Sequence, residues 1–450
     1  MDNALEAGWL AERIQDRTIK GIALATAALI GSGAIAVGVQ LPAVRELAGL
    51  LDVSPATVSA AWGQLRRQKV IAGAGRNGVW VCGNIVTPRP VRFEAIGNFG
   101  DNIMADLTLA APDPAYLPDL REALLRGGRA INLNSYRREP ISQVLQQAIA
   151  PRWPYPAEAY LAADGGFDAM YQTLQTLIMP GATVAIEDPT ATRLLDMLDN
   201  VGADIIAVPC DGQGPTPAGL EAALRRSPVA FIYQPRTHST TGHTVSRQRA
   251  DDMAHLLRAC ATLIIEDDGI GELSAHPVHS LGNIYPQRTV HVRSFSKAYG
   301  PDLRLAVISA SSDIIRRIQS VRNFGASWTS RILQEAVAWM MADGMTQQTL
   351  AAARHCYAQR RRALLRALAQ RGVVLPDRDG LSIQIPVPSE QYALVTLAAH
   401  GIAVMPGKRH SIGPSRFIRV STSLLEADRV ELVADAIQLA CRHGDDNTVQ

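Results

Sequence analysis

Between residues 183 and 310, short apolar runs rich in β-branched residues recur: "TVAIE", "DIIAVP", "VAFIY", "TLIIE", "TVHVR" and "RLAVISA". Each is nearly continuous in hydrophobicity, the pattern of a strand buried on both faces. Amphipathic segments such as "PAGLEAALRRS" and "QRADDMAHLLRAC" fall between them. The alternation predicts a mostly parallel sheet covered by helices on both sides. From about Ala326 long helical patterns take over, including the arginine-rich "RHCYAQRRRALLRALAQRG". That run reads as a solvated helix face, or as a surface for DNA or a partner subunit.

The front of the chain has a different texture. In "LPAVRELAGLLDVSPATVSAAWGQL", Val44, Leu47, Leu50 and Leu51 share one helical face, and "DVSP" then supplies Ser54 as an N-cap and Pro55 at the first helical position. Val58, Ala61, Trp62 and Leu65 continue at helical spacing. Two short helices across a tight turn, followed by "GAGRNGVWV" as a hairpin-like tail, predict a winged helix-turn-helix. Small polar residues at the start of the second helix can reach base edges, and arginines can bond phosphates. Arg45, Thr57, Ser59, Arg66 and Arg76 are the candidates for contact with operator DNA; for Arg66 and Arg67, solvating a helix face is the competing reading.

Residues 21–44 carry no charge, which raises the question of a membrane span. Gly31, Gly33, Gly38 and Pro42 interrupt the stretch, so a buried helix followed by a turn is expected and no membrane partner. Residues 83–105, "GNIVTPRPVRFEAIGNFGDNIMA", hold no sustained period and read as a linker. The expected organisation is a DNA-binding head over 1–82, this linker, and a body over 106–445.

Composition narrows the function classes. The 450 residues include 44 Lys plus Arg against 42 Asp plus Glu, so any basic surface must be local. Five scattered cysteines give neither a disulfide framework nor metal-ligand spacing; no metal is expected, and a reducing cytoplasm fits. The N-terminus lacks the pattern of a signal peptide.

In parallel-sheet proteins functional side chains gather at the carboxyl ends of strands. There this sequence has Asp267 after "TLII", Lys297 after "VHV", and the pair Gly165 and Gly166 opening a helix. Taken alone the glycine pair is explained by a turn, Asp267 by a cap and Arg304 by a surface ion pair. Together they suggest a pocket for an anion, a carboxylate and a lysine. A desolvated lysine is a nucleophile able to form a Schiff base, and a carboxylate is the usual partner of a pyridinium nitrogen.

The front segment resembles the DNA-binding domain of the GntR regulators, with Leu41, Pro42, Arg45, Leu47, Ala48, Thr57, Val58 and Leu65 in register. One departure is Pro55 and Ala56, where a basic residue often follows the serine. The rest resembles a fold-type I aminotransferase, and the combination is that of the MocR regulators; "YQPRTHSTTG", "LIIEDDGIGELS" and "RSFSKAYGPDLRLAVIS" look most like the PtsJ branch. The resemblance implies pyridoxal 5'-phosphate as cofactor and Lys297 as the Schiff-base lysine. Asp267 becomes the partner of the pyridine nitrogen, and Ser294, Ser296 and Arg304 become phosphate ligands with the backbone at Gly165, Gly166 and Phe167. Arg419 would hold a substrate carboxylate. It also implies a head-to-tail homodimer.

Three ring-orienting groups of the family are absent: Ala191 stands near the usual stacking aromatic, Ser239 replaces an asparagine, with His238 beside it as another contact, and Gly269 replaces a tyrosine. Transamination needs a rigidly held ring, whereas binding needs less. The expectation is a transcription regulator that senses pyridoxal 5'-phosphate, or an amine or amino acid reacting with it, with little or no turnover. By resemblance its target is vitamin B6 metabolism. An active aminotransferase with an accessory head, and a scaffold with a degenerate pocket, are the alternatives.

Overall fold

The computed structural model describes residues 4–67, 70–73, 78–82, 90–94 and 103–442. They form two compact units that divide between Arg89 and Pro90.

In the first unit, helices Val44–Leu51 and Pro55–Arg67 meet across a turn in which Asp52 takes a left-handed conformation, φ 55°. The Ser54 hydroxyl accepts the Thr57 N–H at 3.2 Å, which caps the second helix as the sequence predicts. Val58, Ala61, Trp62 and Leu65 are all buried against Leu47 and Leu51. Leu50, placed on the same face by its spacing, is instead 52% exposed. Ile71–Ala72 and Val79–Val81 pair antiparallel as the wing, and Gln40–Leu41 adds a third strand. The uncharged front segment is a 13-residue helix, Ile19–Gly31, packed through Ile22 and Ala23. No described helix is long and apolar enough to cross a membrane.

The second unit contains a sheet in the order Ala159–Ala163, Ala306–Ala310, Thr289–Ser294, Leu263–Asp268, Ala230–Tyr233, Thr183–Asp188, Asp204–Asp211, Gly214–Pro215. The five neighbouring strands from Thr289–Ser294 to Asp204–Asp211 are parallel, and Ala306–Ala310 runs against both of its neighbours. Both faces are covered: Ile186, Ile232 and Ile265 enter one core, while Ala185, Phe231 and Ile264 enter another. This is why the runs are continuously apolar. A four-stranded sheet, in the order Ser382–Pro386, Phe417–Ser421, Ile402–Pro406, Ala105–Leu107, makes a second layer with the long helix Gly344–Gln370.

Two expectations change. Part of the segment read as linker folds with the body: Val91–Glu94 is a helical turn, and the Arg92 and Phe93 N–H groups donate to the Asp196 carboxylate at 3.2 and 3.1 Å. Residues 83–89 and 95–102 lie outside the described residues. The arginine-rich helix is also no merely solvated face. Arg361 is buried against Asp377, and Arg360 reaches Asp113 at 2.8 Å.

Candidate functional site

Ser294 ends one strand and pairs with Ala306 on its antiparallel neighbour. The connection between them holds Ser296, Lys297 and Arg304, closed at its base by a hydrogen bond from Phe295 N–H to the Leu305 carbonyl at 3.1 Å. On the other side, Gly165 at φ 107° opens the helix Gly166–Leu177. A Cβ at Gly165 would lie 2.5 Å from Arg304 Nη2, and one at Gly166 would lie 2.8 Å from Ser294 Cβ. Only glycine lets the arginine, the serine and the first helical N–H groups share this concavity.

Arg304 is anchored by donating to the Asp164 carbonyl at 3.0 Å. The buried Ser296 hydroxyl has no partner among the described residues. Arg193 also belongs to this corner, although the sequence reading passed over it. Its guanidinium lies 4.7 Å from the Phe167 ring and 3.6 Å from the Phe93 ring. Burial and the neighbouring Arg304 charge push it below its usual basicity. Two cations, unobstructed helical N–H groups and a free hydroxyl make a cradle for a phosphate-like anion.

Asp267 comes from the strand Leu263–Asp268, whose alternation sends Glu266 and Asp268 to the opposite face. There Asp268 is gripped by Arg236 at 3.0 Å and Arg293 at 3.1 Å, which hold its carboxyl far below the usual range despite burial. Glu266 accepts from Tyr233, Ser280 and the Leu281 N–H, and pairs with His291 at 2.8 Å. This network fixes the strand end that presents Asp267. Burial pushes the Asp267 carboxyl up, opposed by a hydrogen bond from Gln234 at 2.9 Å and by the Lys297 charge.

Lys297 is lowered to about 8 by burial and by the Arg419 charge, with Asp267 pulling the other way. Arg419, from the strand Phe417–Ser421, is lowered to about 10 by burial. One of its nitrogens donates to the Thr108 carbonyl, and its Nε is buried without a partner among the described residues. An amine of reduced basicity thus shares a pocket with a carboxylate and an underused guanidinium, and an anion cradle lies next to it.

Of the pair His238 and Ser239, the histidine is placed differently from expectation. His238 is turned inward: its Nδ1 accepts the Thr240 and Thr241 N–H groups at 3.2 and 3.1 Å, and its Nε2 faces Glu187 at 3.4 Å. It shapes the loop from within. Ser239 donates its N–H to Gln234 at 2.7 Å, so Gln234 ties this loop to Asp267. Gln234 was missed because a glutamine after a strand carries no signal of its own. At Gly269 a Cβ would meet only the Asp267 carboxylate, at 3.5 and 3.9 Å, and Ala191 supplies no aromatic ring.

In the head, Arg45, Ser59 and Arg66 line one surface cleft of about 720 Å³ between the two helices and the wing. Arg66 also bonds the Trp62 and Gly73 carbonyls at 3.3 Å, bracing the wing. Thr57 lies outside the cleft, its hydroxyl 2.9 Å from Ser54. Arg76 falls outside the described residues.

A winged helix-turn-helix joined to a body of aminotransferase architecture defines the class. Residues 99–437 match aminotransferase class I and II, and residues 18–81 match the gntR family of bacterial regulatory proteins. The chain is 34% identical over 409 residues to the vitamin B6 salvage pathway transcriptional repressor PtsJ of Salmonella typhimurium, covering 89% of this chain and 93% of that one. It is 27% identical to the HTH-type transcriptional regulator YdcR of Escherichia coli, covering 89% and 94%. Among solved structures, kynurenine aminotransferase of Pyrococcus horikoshii shares its fold at a TM-score of 0.69 with 20% identity, over 76% of this chain and 91% of that one. The chain belongs to the aminotransferase class I and II family and, with its gntR-type head, to the family of HTH-type transcription regulators that includes PtsJ. Its class I and II fold family is pyridoxal-phosphate-dependent.

Proposed function

We propose that this regulator holds pyridoxal 5'-phosphate in its body as the signal that sets operator binding by its head. The observation that carries the reading is the meeting of Lys297, Asp267 and the cradle of Gly165, Gly166, Ser294 and Arg304. The cradle has the width that glycine alone permits and contains an unpartnered buried hydroxyl, both of which suit a phosphate. When bound, the cofactor would supply an aldehyde for an amine and a ring able to delocalise charge. Lys297 offers the amine, and Asp267 offers the carboxylate for a ring nitrogen. Ser294, Ser296, Arg304 and Arg193 hold the phosphate with the N–H groups at Gly165, Gly166 and Phe167. Arg419 accepts the carboxylate of an amino acid.

Orientation of the ring is weaker. Ala191 cannot stack, Gly269 has no hydroxyl, and His238 spends its ring nitrogens on its own loop and on Glu187. Weak alignment favours sensing over turnover. The name of the Salmonella relative supports vitamin B6 supply as the regulated process. A cytoplasmic head-to-tail homodimer, reading paired half-sites, belongs to the same proposal.

The test is a titration of the full chain with pyridoxal 5'-phosphate, followed in the visible spectrum and by operator binding, with Lys297→Ala alongside. A saturable band lost in the variant, with operator affinity that changes as the band grows, is the expected result. Operator binding identical with and without cofactor would overturn the sensing role. Brisk turnover of common amino acids would return the body to enzymes.

A further inference from the structure

A second cluster lies beside His238, near the carboxyl ends of two neighbouring strands. Glu187 is the penultimate residue of the strand Thr183–Asp188, Cys210 that of its parallel neighbour Asp204–Asp211, and His243 follows the turn that carries His238. One carboxylate oxygen, the Cys210 Sγ and one His243 ring nitrogen all lie within 4.8 Å of one another. Glu187 and His243 are fully buried.

The hydrogen bonding leaves the right atoms free. Glu187 Oε1 accepts the Gln234 N–H at 2.8 Å and faces His238 Nε2, while Oε2 has no partner among the described residues. The His243 Nδ1 is held 2.6 Å from the Thr241 hydroxyl, and its Nε2 is likewise unpartnered. That Nε2 points toward Glu187 Oε2 across 3.9 Å. Stacking on His238, with ring centroids 4.5 Å apart, fixes the imidazole plane. Two buried polar atoms left bare are costly unless something bonds them. Metal ligands characteristically have their second atom held by the protein, as both are here. The Cys210 thiol beside them makes one weak bond of its own, donating to the Val208 carbonyl at 3.8 Å.

We propose that Glu187, Cys210 and His243 form a site for a divalent metal ion of borderline softness, of which Zn²⁺ is the type. Sulfur, imidazole nitrogen and carboxylate oxygen together suit that class, with the fourth position left to solvent. Ligands about 2.0–2.1 Å from a tetrahedral ion stand roughly 3.4 Å apart, so the 3.9 Å gap between Glu187 and His243 closes with a shift of about half an ångström, and the sulfur, within 4.8 Å of both, with one of up to about an ångström. On binding, the S–H bond of Cys210 breaks, the sulfur bonds the metal and the proton leaves to solvent. His243 also lines a surface cleft of about 440 Å³ with Gly212, Thr244 and Arg378, the side from which the proposal has an ion enter.

The full chain, stripped with a chelator, is titrated with Zn²⁺ and separately with Co²⁺, and bound metal is counted after dialysis. One ion per chain is expected, with a near-ultraviolet sulfur-to-cobalt band and a higher unfolding temperature in Zn²⁺. Cys210→Ser should abolish the cobalt band, and Glu187→Gln, which keeps the carboxylate's shape and its bond to the Gln234 N–H, should bind Zn²⁺ at least tenfold more weakly. Cys260→Ser should behave as the parent. No stoichiometric ion on the parent chain, or an unchanged cobalt band in Cys210→Ser, would overturn the site. Should Cys210→Ser fail to fold, the Glu187→Gln affinity decides.

Discussion

Lys297 is the residue on which the pocket's chemistry turns. Its amine loses its proton near pH 8 instead of near its ordinary value, because burial and Arg419 outweigh the pull of Asp267. The neutral amine is the nucleophile, so covalent capture of an aldehyde gains as pH rises through that value. Roughly a tenth of the amines are neutral at pH 7 and roughly nine tenths at pH 9. Apparent affinity for pyridoxal 5'-phosphate should rise by up to about tenfold between those limits, as read by the visible band. Arg419→Ala removes one of the two causes, so the midpoint should move to higher pH. Gly166→Ala addresses the cradle: its methyl would press on Ser294, and affinity should fall at least tenfold, about 1.4 kcal/mol. A Gly166→Ala protein that binds as tightly as the parent would show that the phosphate lies elsewhere.

The secondary structure around these groups explains what could be foreseen. Continuous apolar runs identified the central strands because both sheet faces are buried, and Ser54-Pro55 located the recognition helix because a cap and a first-turn proline act locally. Lys297, Asp267, Arg304 and the glycine pair were legible because they follow strands in short, distinctive runs. Gln234 and Arg193 were not: their roles come from partners more than 30 residues away in Asp267 and from Phe93, in a segment that looked like linker. The inward turn of His238 was equally hidden, since it depends on backbone N–H groups that a sequence does not print. The strand behind Asp267 yields its own prediction. Asp268→Asn strips the shared anion from Arg236 and Arg293, both buried, and should cost about 3–5 kcal/mol in urea unfolding of the body. In the head, Ser54→Ala should cost about 1 kcal/mol, seen as faster amide exchange along Pro55–Arg67.

For the protein as a regulator, the net charge of +2 means that DNA affinity must come from local basic groups, of which the head's arginines are the candidates. If Arg45 meets a phosphate, Arg45→Ala should weaken binding to all sequences alike and reduce the salt dependence by about one counterion. If it meets a base, the loss should fall on the operator alone. Gel-shift titrations over a range of salt separate the two. Ser59→Ala belongs to the same series, and a loss confined to the operator is expected for it.

The connection from Ser294 to Ala306 has one more consequence. Lysine, serines and arginine all ride on a loop whose two ends are pinned to adjacent strands and locked by Phe295 and Leu305. Little chain freedom remains to be lost when a ligand arrives, so most of the gross interaction energy survives as affinity. Deprived of its ligand, such a loop should stay rigid, its amides exchanging as slowly as those of the strands that hold it. Any change of shape on binding would then have to arise outside the loop, because the loop itself keeps still.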